Sequence, residues 1–211
     1  MELTPKLIEV ARPADPAGAV IVLHGGASRR ENMMVSPTQL SVLRMIPIAR
    51  AVARAGRGRL AVFRLLNSRR GWDAHHTPVR DVEWALERLA ELEDTALPVC
   101  LVGHSLGGRA ALMAAGRPRV RGAVALAPWV LPSDEPEGLD AQRLLIVHGA
   151  SDRIASPQRS AALAERLRRR GHAVDYVTVP GGKHAMLSHH RAFTAPAVRF
   201  ATETLRSAVT A

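Results

Sequence analysis

A ten-residue stretch near the middle of the chain, from Val99 to Gly108, constrains the fold more than any other feature. It begins with four apolar residues, which is typical of a strand that is buried on both faces of a parallel sheet. The next five residues, Gly103 to Gly107, fit the pattern G-x-S-x-G, and an alanine-rich segment up to Ala115 predicts a helix. The serine of the pattern, Ser105, is therefore expected in a tight turn between a strand and a helix.

The geometry that a serine nucleophile needs explains the two glycines of this pattern. A serine hydroxyl is a weak nucleophile that must project from the backbone toward a base and a substrate carbonyl, and a sharp turn achieves this. The turn crowds the backbone two residues before and after the serine, where Gly103 and Gly107 carry no Cβ atom. The backbone N–H of Leu106 would then lie at a helix start and point at a developing oxyanion. The alternative is a glycine-rich strand–helix turn in which Ser105 is incidental.

This stretch resembles the nucleophile elbow of the α/β-hydrolase superfamily, and the resemblance extends over most of the chain. Strand and helix patterns alternate without an internal repeat or a linker, and residues 1–211 have the length of one domain. The sequence therefore predicts a single α/β domain with a doubly wound, mostly parallel sheet flanked by helices. The predicted strands lie within residues 7–10, 19–23, 60–66, 99–102, 121–128, 144–147 and 173–179. Helices are predicted over 47–55, 106–115 and 194–209 and after the cap-and-proline pairs Thr77-Pro78 and Ser156-Pro157.

Ser105 needs a base, and the base needs a carboxylate that orients it. In this superfamily the three residues follow one another in the order Ser, Asp or Glu, then His. Asp152 follows the predicted strand 144–147 and His184 follows the strand 173–179, so both should emerge at the edge of the sheet that holds Ser105. Taken singly, Asp152 could be a turn residue and His184 a loop residue. We assign the catalytic roles to Ser105, Asp152 and His184.

Other residues compete for two of these roles. The competing histidines are His104, which adjoins the serine and should point elsewhere, and His189 and His190, which lie further along the chain toward the predicted closing helix. The competing acids precede the strand that leads to the assigned carboxylate and would lie at its opposite end; they are Asp134, Glu135 and Asp140. Position relative to the strands therefore favours the assigned base and acid.

A second oxyanion donor is expected in the loop after an early strand. The strand 19–23 ends in the sequence His-Gly-Gly-Ala at 24–27, and a His-Gly pair at this place resembles the superfamily's oxyanion loop. The resemblance implies that the N–H of Gly26 joins that of Leu106 in binding the substrate oxygen. Ala27 stands where the lipase-like version has a third glycine. The alternative is an ordinary strand-to-loop turn.

Few residues of the chain are available to form a cap over the expected active site. Many α/β-hydrolases carry a helical cap after the strand at 121–128, but Trp129 to Gln142 is too short to form one. The long segment from Ser28 to Met45 predicts either a partial cover or a surface loop with a short helix near Leu40. The side chains that we expect to contact an acyl group are Met33, Met34, Trp129 and Met186.

The net charge and the choice of basic residues limit the kinds of partner that we expect the protein to bind. The net charge is +10, but Lys6 and Lys183 are the only lysines among 29 basic residues, and such use of arginine matches a GC-rich coding background. The arginines are scattered and only 3% of residues are aromatic, so nucleic acid is not an expected partner. We expect a small-molecule ester or thioester substrate, with an anionic substrate left open.

No sequence pattern indicates a cofactor, a metal or a membrane. The chain has no phosphate-binding loop or dinucleotide fingerprint, and the adjacent His75 and His76 have no Cys or Glu at ligand spacing. No apolar run approaches the roughly 18 residues of a membrane helix, and the N-terminus lacks the apolar core of a signal peptide. The single cysteine, Cys100, lies in an apolar strand and is predicted to be a core residue. We expect a cytoplasmic protein that is a monomer or a weak homodimer.

Together these features predict a small serine hydrolase without a cap that cleaves carboxylic esters through an acyl-enzyme. The plan resembles small carboxylesterases and dienelactone-hydrolase-like proteins. The best-known dienelactone hydrolases have a cysteine nucleophile where this chain has Ser105, so their substrate does not carry over. Two alternatives stay open: an acyl-thioester hydrolase or acyltransferase with the same triad, and a non-catalytic binding protein on the same fold.

Overall fold

Seven strands and six helices follow one another along the part of the chain that the structure describes. The structure is a computed structural model, and it describes residues 4–26, 35–93 and 97–209. The strands are β1 (Lys6–Ala11), β2 (Gly18–Leu23), β3 (Leu60–Leu66), β4 (Val99–His104), β5 (Val120–Leu126), β6 (Arg143–Gly149) and β7 (Ala173–Val179). The helices are α1 (Leu40–Leu43), α2 (Met45–Ala55), α3 (Thr77–Leu92), α4 (Leu106–Met113), α5 (Pro157–Arg169) and α6 (His190–Val209).

The strands form one sheet in the order β1-β3-β2-β4-β5-β6-β7. Every neighbouring pair is parallel except β1 and β3, which run antiparallel at one edge. The predicted doubly wound, mostly parallel sheet is thereby confirmed. Parallel strands share an orientation, so the carboxyl ends of β2 to β7 meet at one edge of the sheet.

Helices cover both faces of the sheet, as the side chains of β2 show. Ala19, Ile21 and Leu23 pack in a core with α3, α4 and α5. Val20 and Val22 pack in a second core with α2 and α6. A strand buried on both faces carries apolar residues at successive positions, which is why β2 appears in the sequence as a continuous apolar run.

Two helix starts test the cap predictions. Ser156 caps α5, because its Oγ accepts a hydrogen bond of 3.2 Å from the backbone N–H of Arg159. Thr77 does not cap α3: it already belongs to the helix, and the preceding His76 has a left-handed φ of +51°. The carboxylate of Asp73 supplies the acceptor instead, bound to the backbone N–H of Thr77 at 2.9 Å and to its hydroxyl at 2.6 Å. A carboxylate is a stronger acceptor than a hydroxyl, which explains the difference from the prediction.

The segment between β5 and β6 leaves the carboxyl edge of the sheet uncapped. Residues 127–142, all of which are described, contain no helix or strand, so the prediction of a fold without a cap domain is confirmed. The short helix expected near Leu40 is α1, and α6 begins at His190, earlier than predicted. Among the helices of the three described ranges, none combines the length and the hydrophobicity that crossing a bilayer requires.

Candidate active site

Ser105 lies at the tip of the turn between β4 and α4. Its φ of +55° falls in the left-handed region, which costs a non-glycine residue on the order of 1–3 kcal/mol. A Cβ atom on Gly103 would lie 2.0 Å from the carbonyl oxygen of Gly107. A Cβ atom on Gly107 would lie 2.5 Å from the carbonyl oxygen of His24, at the end of β2. Only glycine fits at these two positions, as the spacing in the sequence predicted.

Three loops at the carboxyl edge of the sheet bring Ser105, His184 and Asp152 into one hydrogen-bonded chain. Oγ of Ser105 lies 3.0 Å from Nε2 of His184, and Nδ1 of His184 lies 2.8 Å from Oδ2 of Asp152. An ionised carboxylate only accepts hydrogen bonds, so Nδ1 of His184 donates to it and Nε2 accepts from the serine hydroxyl. The three residues selected by chain order thus form one continuous chain of hydrogen bonds through His184, and Ser105, His184 and Asp152 follow β4, β7 and β6 respectively.

The carboxylate of Asp152 is buried and held by four N–H groups. Oδ1 accepts from the backbone amides of Ile154 at 2.8 Å and Ala155 at 3.0 Å. Oδ2 accepts from His184 and, at 3.1 Å, from Nε2 of His148. Burial alone would raise the pKa of Asp152, but the hydrogen bonds from the Ala155 amide, from His184 and from the second amide outweigh it and hold the pKa below its usual value. Asp152 is therefore ionised at neutral pH.

The two expected oxyanion donors belong to the elbow and to the loop after β2. Leu106 is the first residue of α4, where a backbone N–H has no partner within the helix. Gly26 lies just past β2, in a loop that packs against the elbow. A Cβ atom on the neighbouring Gly25 would lie 3.1 Å from Cβ of Ser105. Ala27 lies outside the described residues.

His104, which precedes the serine, is buried and supports the loop that carries His184. Its Nε2 donates to the backbone carbonyl oxygen of His184 at 2.9 Å, and the two ring centroids lie 5.0 Å apart. Burial, with a smaller contribution from His184, lowers the pKa of His104 to about 3, so its ring is neutral. No sequence pattern indicates this contact, because the two residues are 80 positions apart.

The three competing acids and the other two competing histidines do not belong to this hydrogen-bonded chain. Asp134 is buried in an ion pair with Arg109, whose Nε and Nη2 donate to its two oxygens at 2.7 and 2.6 Å. The guanidinium carbon of Arg109 lies 3.8 Å from the ring centroid of Trp72 and 5.5 Å from that of Trp129. The remaining competitors are exposed; they are Glu135, Asp140, His189 and His190. No sequence pattern indicates the ion pair or its aromatic neighbours.

Two of the four side chains expected to contact an acyl group are described. Trp129 is 39% exposed, and its backbone N–H donates to the carbonyl oxygen of Ser105 at 3.1 Å, so it adjoins the elbow. Met186 is only 4% exposed and packs in the core with α2 and α6. Burial of its apolar side chain leaves little surface for a substrate, so its position does not fit the expected role. Met33 and Met34 lie outside the described residues.

One large groove in the described part of the molecule is separate from these residues. Within the described ranges, no group of three or more His, Cys, Asp or Glu residues is arranged to hold a metal ion. A groove of about 1,190 Å³ runs between α2 and α6, and none of its lining residues belongs to the hydrogen-bonded chain. The carboxyl edge of the sheet is therefore the candidate active site.

Comparison with known proteins agrees with this fold. A model of the alpha/beta hydrolase family matches residues 20–144, which include the elbow. A model of the prolyl oligopeptidase family matches residues 130–208, which include Asp152 and His184. The chain has no significant match among curated protein sequences.

Solved structures share the fold at low sequence identity. Est1E from Butyrivibrio proteoclasticus, solved with ferulic acid bound, has a TM-score of 0.67 and 17% identity over 96% of each chain. A serine hydrolase without lid from Xanthomonas campestris has a TM-score of 0.66 and 19% identity, over 98% of this chain and 89% of that one. The thermophilic esterase Est2 from Thermogutta terrifontis, with butyrate bound, has a TM-score of 0.66 and 18% identity, over 94% of this chain and 89% of that one. Since the family model matches more than half of its length, the chain belongs to the alpha/beta hydrolase family, and this membership supports hydrolase activity.

Proposed function

We propose that the chain is a serine hydrolase that cleaves carboxylic esters through an acyl-enzyme intermediate. The observation that carries the proposal is the hydrogen-bonded chain from Asp152 through His184 to Ser105, with separations of 2.8 and 3.0 Å. These separations are within the range in which a base takes the proton of a nucleophile.

The first half of the reaction acylates the serine. Ser105 attacks the substrate carbonyl while Nε2 of His184 takes the hydroxyl proton. Asp152 holds the imidazole tautomer that leaves Nε2 unprotonated, and it stabilises the imidazolium that forms. His184 then gives the proton to the leaving alcohol, the ester C–O bond breaks, and the acyl group remains on the serine.

The second half removes the acyl group. His184 takes a proton from water, and the resulting nucleophile attacks the acyl carbonyl. The bond to Oγ of Ser105 breaks, the oxygen regains the proton from His184, and the carboxylic acid leaves.

Both halves pass through a tetrahedral oxyanion. The backbone N–H groups of Gly26 and Leu106 are proposed to bind it, with support from the positive end of the α4 dipole. A single donor of this kind contributes on the order of 10²–10³ in kcat.

The open edge of the sheet supports small esters as substrates. Residues 127–142 form no cap, and Trp129 offers a half-exposed apolar surface beside the elbow. We propose that Met33 and Met34 add to this surface. The relative from Thermogutta terrifontis is an esterase with butyrate bound, which supports short acyl chains here. Discrimination between chain lengths should not exceed roughly 1–3 kcal/mol per methylene.

The test is a panel of p-nitrophenyl esters and acyl thioesters, combined with labelling by a fluorophosphonate probe. We expect ester turnover and labelling in the parent, and Ser105→Ala should lower kcat by about 10⁶-fold while the protein stays folded. Near-parental turnover in Ser105→Ala would overturn the proposed nucleophile. Faster turnover of thioesters than of esters would favour a thioesterase. The absence of both labelling and turnover would favour a binding protein.

A further inference from the structure

His148 lies near the carboxyl end of β6, four residues before the carboxylate of the site. Side chains alternate along this strand, and Leu144 and Ile146 pack in the core with α5. His148 continues that series, and its side chain is completely buried, in contact with α5. An imidazole without access to water needs partners within the protein for both ring nitrogens.

Both nitrogens of His148 have such a partner. Nε2 lies 3.1 Å from Oδ2 of Asp152, and Nδ1 lies 2.8 Å from Oγ of Ser160 on α5. Because the ionised carboxylate only accepts, Nε2 must carry the proton. Burial lowers the pKa of His148 although the neighbouring carboxylate acts in the opposite direction, so the ring is neutral. The hydroxyl of Ser160 therefore donates to the lone pair on Nδ1 and fixes the tautomer.

Two imidazoles thus donate to the same oxygen of Asp152. Oδ2 accepts from His148 and, at 2.8 Å, from Nδ1 of His184. Oδ1 is occupied by two backbone amides. With four donors around it, the carboxylate is held in one orientation. The titratable or charged groups that face this network are the two imidazoles, Asp152 and, beyond His184, His104 with Arg44.

We propose that His148 is a positioning residue of the active site and that Ser160 holds it in the required tautomer. His148 acts through Asp152, because it keeps Oδ2 aimed at the base. The inference rests on the proposed function, since an oriented base accelerates a reaction only if Ser105 is the nucleophile. A base misplaced by about 1 Å can cost on the order of 10²-fold in rate.

Loss of the N–H group of His148 has two expected consequences. Oδ2 loses a donor in a buried place, so the carboxylate is held less firmly. The positive end of the N–H dipole also faces the imidazolium that forms at His184, and its removal leaves the protonated base better stabilised. The acidic limb of the pH–rate profile should therefore move to higher pH. A purely structural role for His148 would not move it.

The kinetic test compares two substitutions with p-nitrophenyl acetate as substrate. His148→Leu removes both hydrogen bonds at a similar volume, and we expect it to lower kcat by about 10–100-fold. KM should stay close to the parental value, and the acidic limb should move to higher pH. His148→Gln keeps an amide donor near the position of Nε2 and should restore most of kcat. An unchanged profile and kcat in His148→Leu would overturn the proposal.

Two serine variants form a matched pair that does not depend on the folding of His148→Leu. Ser160→Ala removes the donor to Nδ1 and should lower kcat, less than His148→Leu does. Ser68→Ala also removes a buried hydroxyl, one that donates to Oδ1 of Asp81 at 2.8 Å, and should leave kcat unchanged. Equal kcat in the two variants would show that Ser160 is not part of the positioning network.

Nitrogen-15 NMR of the imidazole rings gives a readout that needs no substrate. We expect His148 to be neutral with its proton on Nε2 at neutral pH. The ring signals of His184 should shift in His148→Leu and return toward their positions in His148→Gln. A proton on Nδ1 of His148, or a charged ring, would overturn the proposal. Failure of the proposed function would look different, because Ser105→Ala would then keep parental activity while these spectra stay as expected.

Discussion

Two buried carboxylates, Asp152 and Asp134, follow neighbouring strands and have opposite kinds of partner. Asp152 accepts four hydrogen bonds, two from backbone amides and two from imidazoles. Asp134 accepts a bidentate pair from Arg109 and a third bond, of 2.9 Å, from the backbone N–H of Leu131. Their burial is similar, at 8% and 5% exposed, so the partners and not the depth distinguish them.

The two carboxylates differ in whether a permanently charged partner already neutralises their negative charge. Arg109 is a permanent cation, so its pair with Asp134 is neutral as a whole and does not change during a reaction. Its effect is to tie the segment between β5 and β6 to α4, next to Trp72 and Trp129. The partners of Asp152 are backbone amides and imidazoles and include no arginine or lysine, so its charge is available to an imidazolium that forms at His184. We propose that Asp134 serves stability and that Asp152 serves catalysis.

The largest expected effect is a loss of activity at Asp152, which distinguishes this carboxylate from Asp134. Asp152→Asn should lower kcat by about 10⁴-fold, equivalent to about 5 kcal/mol, because an amide can hold the wrong tautomer of His184. The melting temperature at neutral pH should fall only modestly, since the amide fills the same volume and its oxygen still accepts two of the four hydrogen bonds. Steady-state kinetics and thermal unfolding of the same preparation check both parts. A loss of stability as large as the loss of activity would remove the distinction from Asp134.

The opposite result is expected at the ion pair. Asp134→Ala leaves the charge of Arg109 buried without a partner and should cost about 3–5 kcal/mol of unfolding free energy. For a chain of this length the melting temperature should fall by on the order of 10 °C. At a temperature where the variant is folded, kcat should stay within a few-fold of the parental value. As a control, the double variant Asp134→Leu/Arg109→Leu should recover much of the stability, since no unpaired charge remains.

Acid should reveal Asp152 as a contributor to stability. Its pKa in the folded protein lies below the usual value of 3.8, so its contribution is fully present above about pH 4 to 5 and is lost as the pH falls through the lowered pKa. Asp152→Asn does not titrate at this position. The difference in unfolding free energy between the parent and Asp152→Asn should therefore shrink from pH 5 to pH 3, as urea unfolding would measure. A constant difference over this range would contradict the assigned shift.

The smallest effect is expected on the apolar side of the site. Replacing Met33 and Met34 together by Ala should raise KM for apolar esters a few-fold and change kcat less, because binding common to ground and transition states is lost. Comparison of p-nitrophenyl acetate with a longer ester measures this effect. If both esters behave as in the parent, these methionines line the surface and the acyl pocket lies elsewhere.

Much of the fold could be predicted because its elements carry local signals. The strands at 60–66 and 173–179 have the predicted bounds, since each is a short, mostly apolar or β-branched segment between turn residues. The start of α3 was predicted less well, because the acceptor that caps the helix is the carboxylate of Asp73, which lies in the preceding loop. The start of α6 was placed at Thr194 and lies at His190, since exposed helix ends carry little apolar periodicity.

The sequence by itself determined the turn at Ser105 and the order of the three residues that meet there. Steric exclusion at Gly103 is local to the turn, and parallel strands bring their carboxyl ends to one edge whatever packs around them. Gly107, in contrast, is required because its backbone passes close to the carbonyl oxygen of His24, just after β2. Only the tertiary structure decided which side chains surround that meeting point. The contacts of His148 with α5 and of Arg109 with Asp134 depend on which faces of separate elements pack together. Sequence periodicity predicts that a face is buried, but it does not identify the partner, because the partner is set by packing between elements that are distant along the chain.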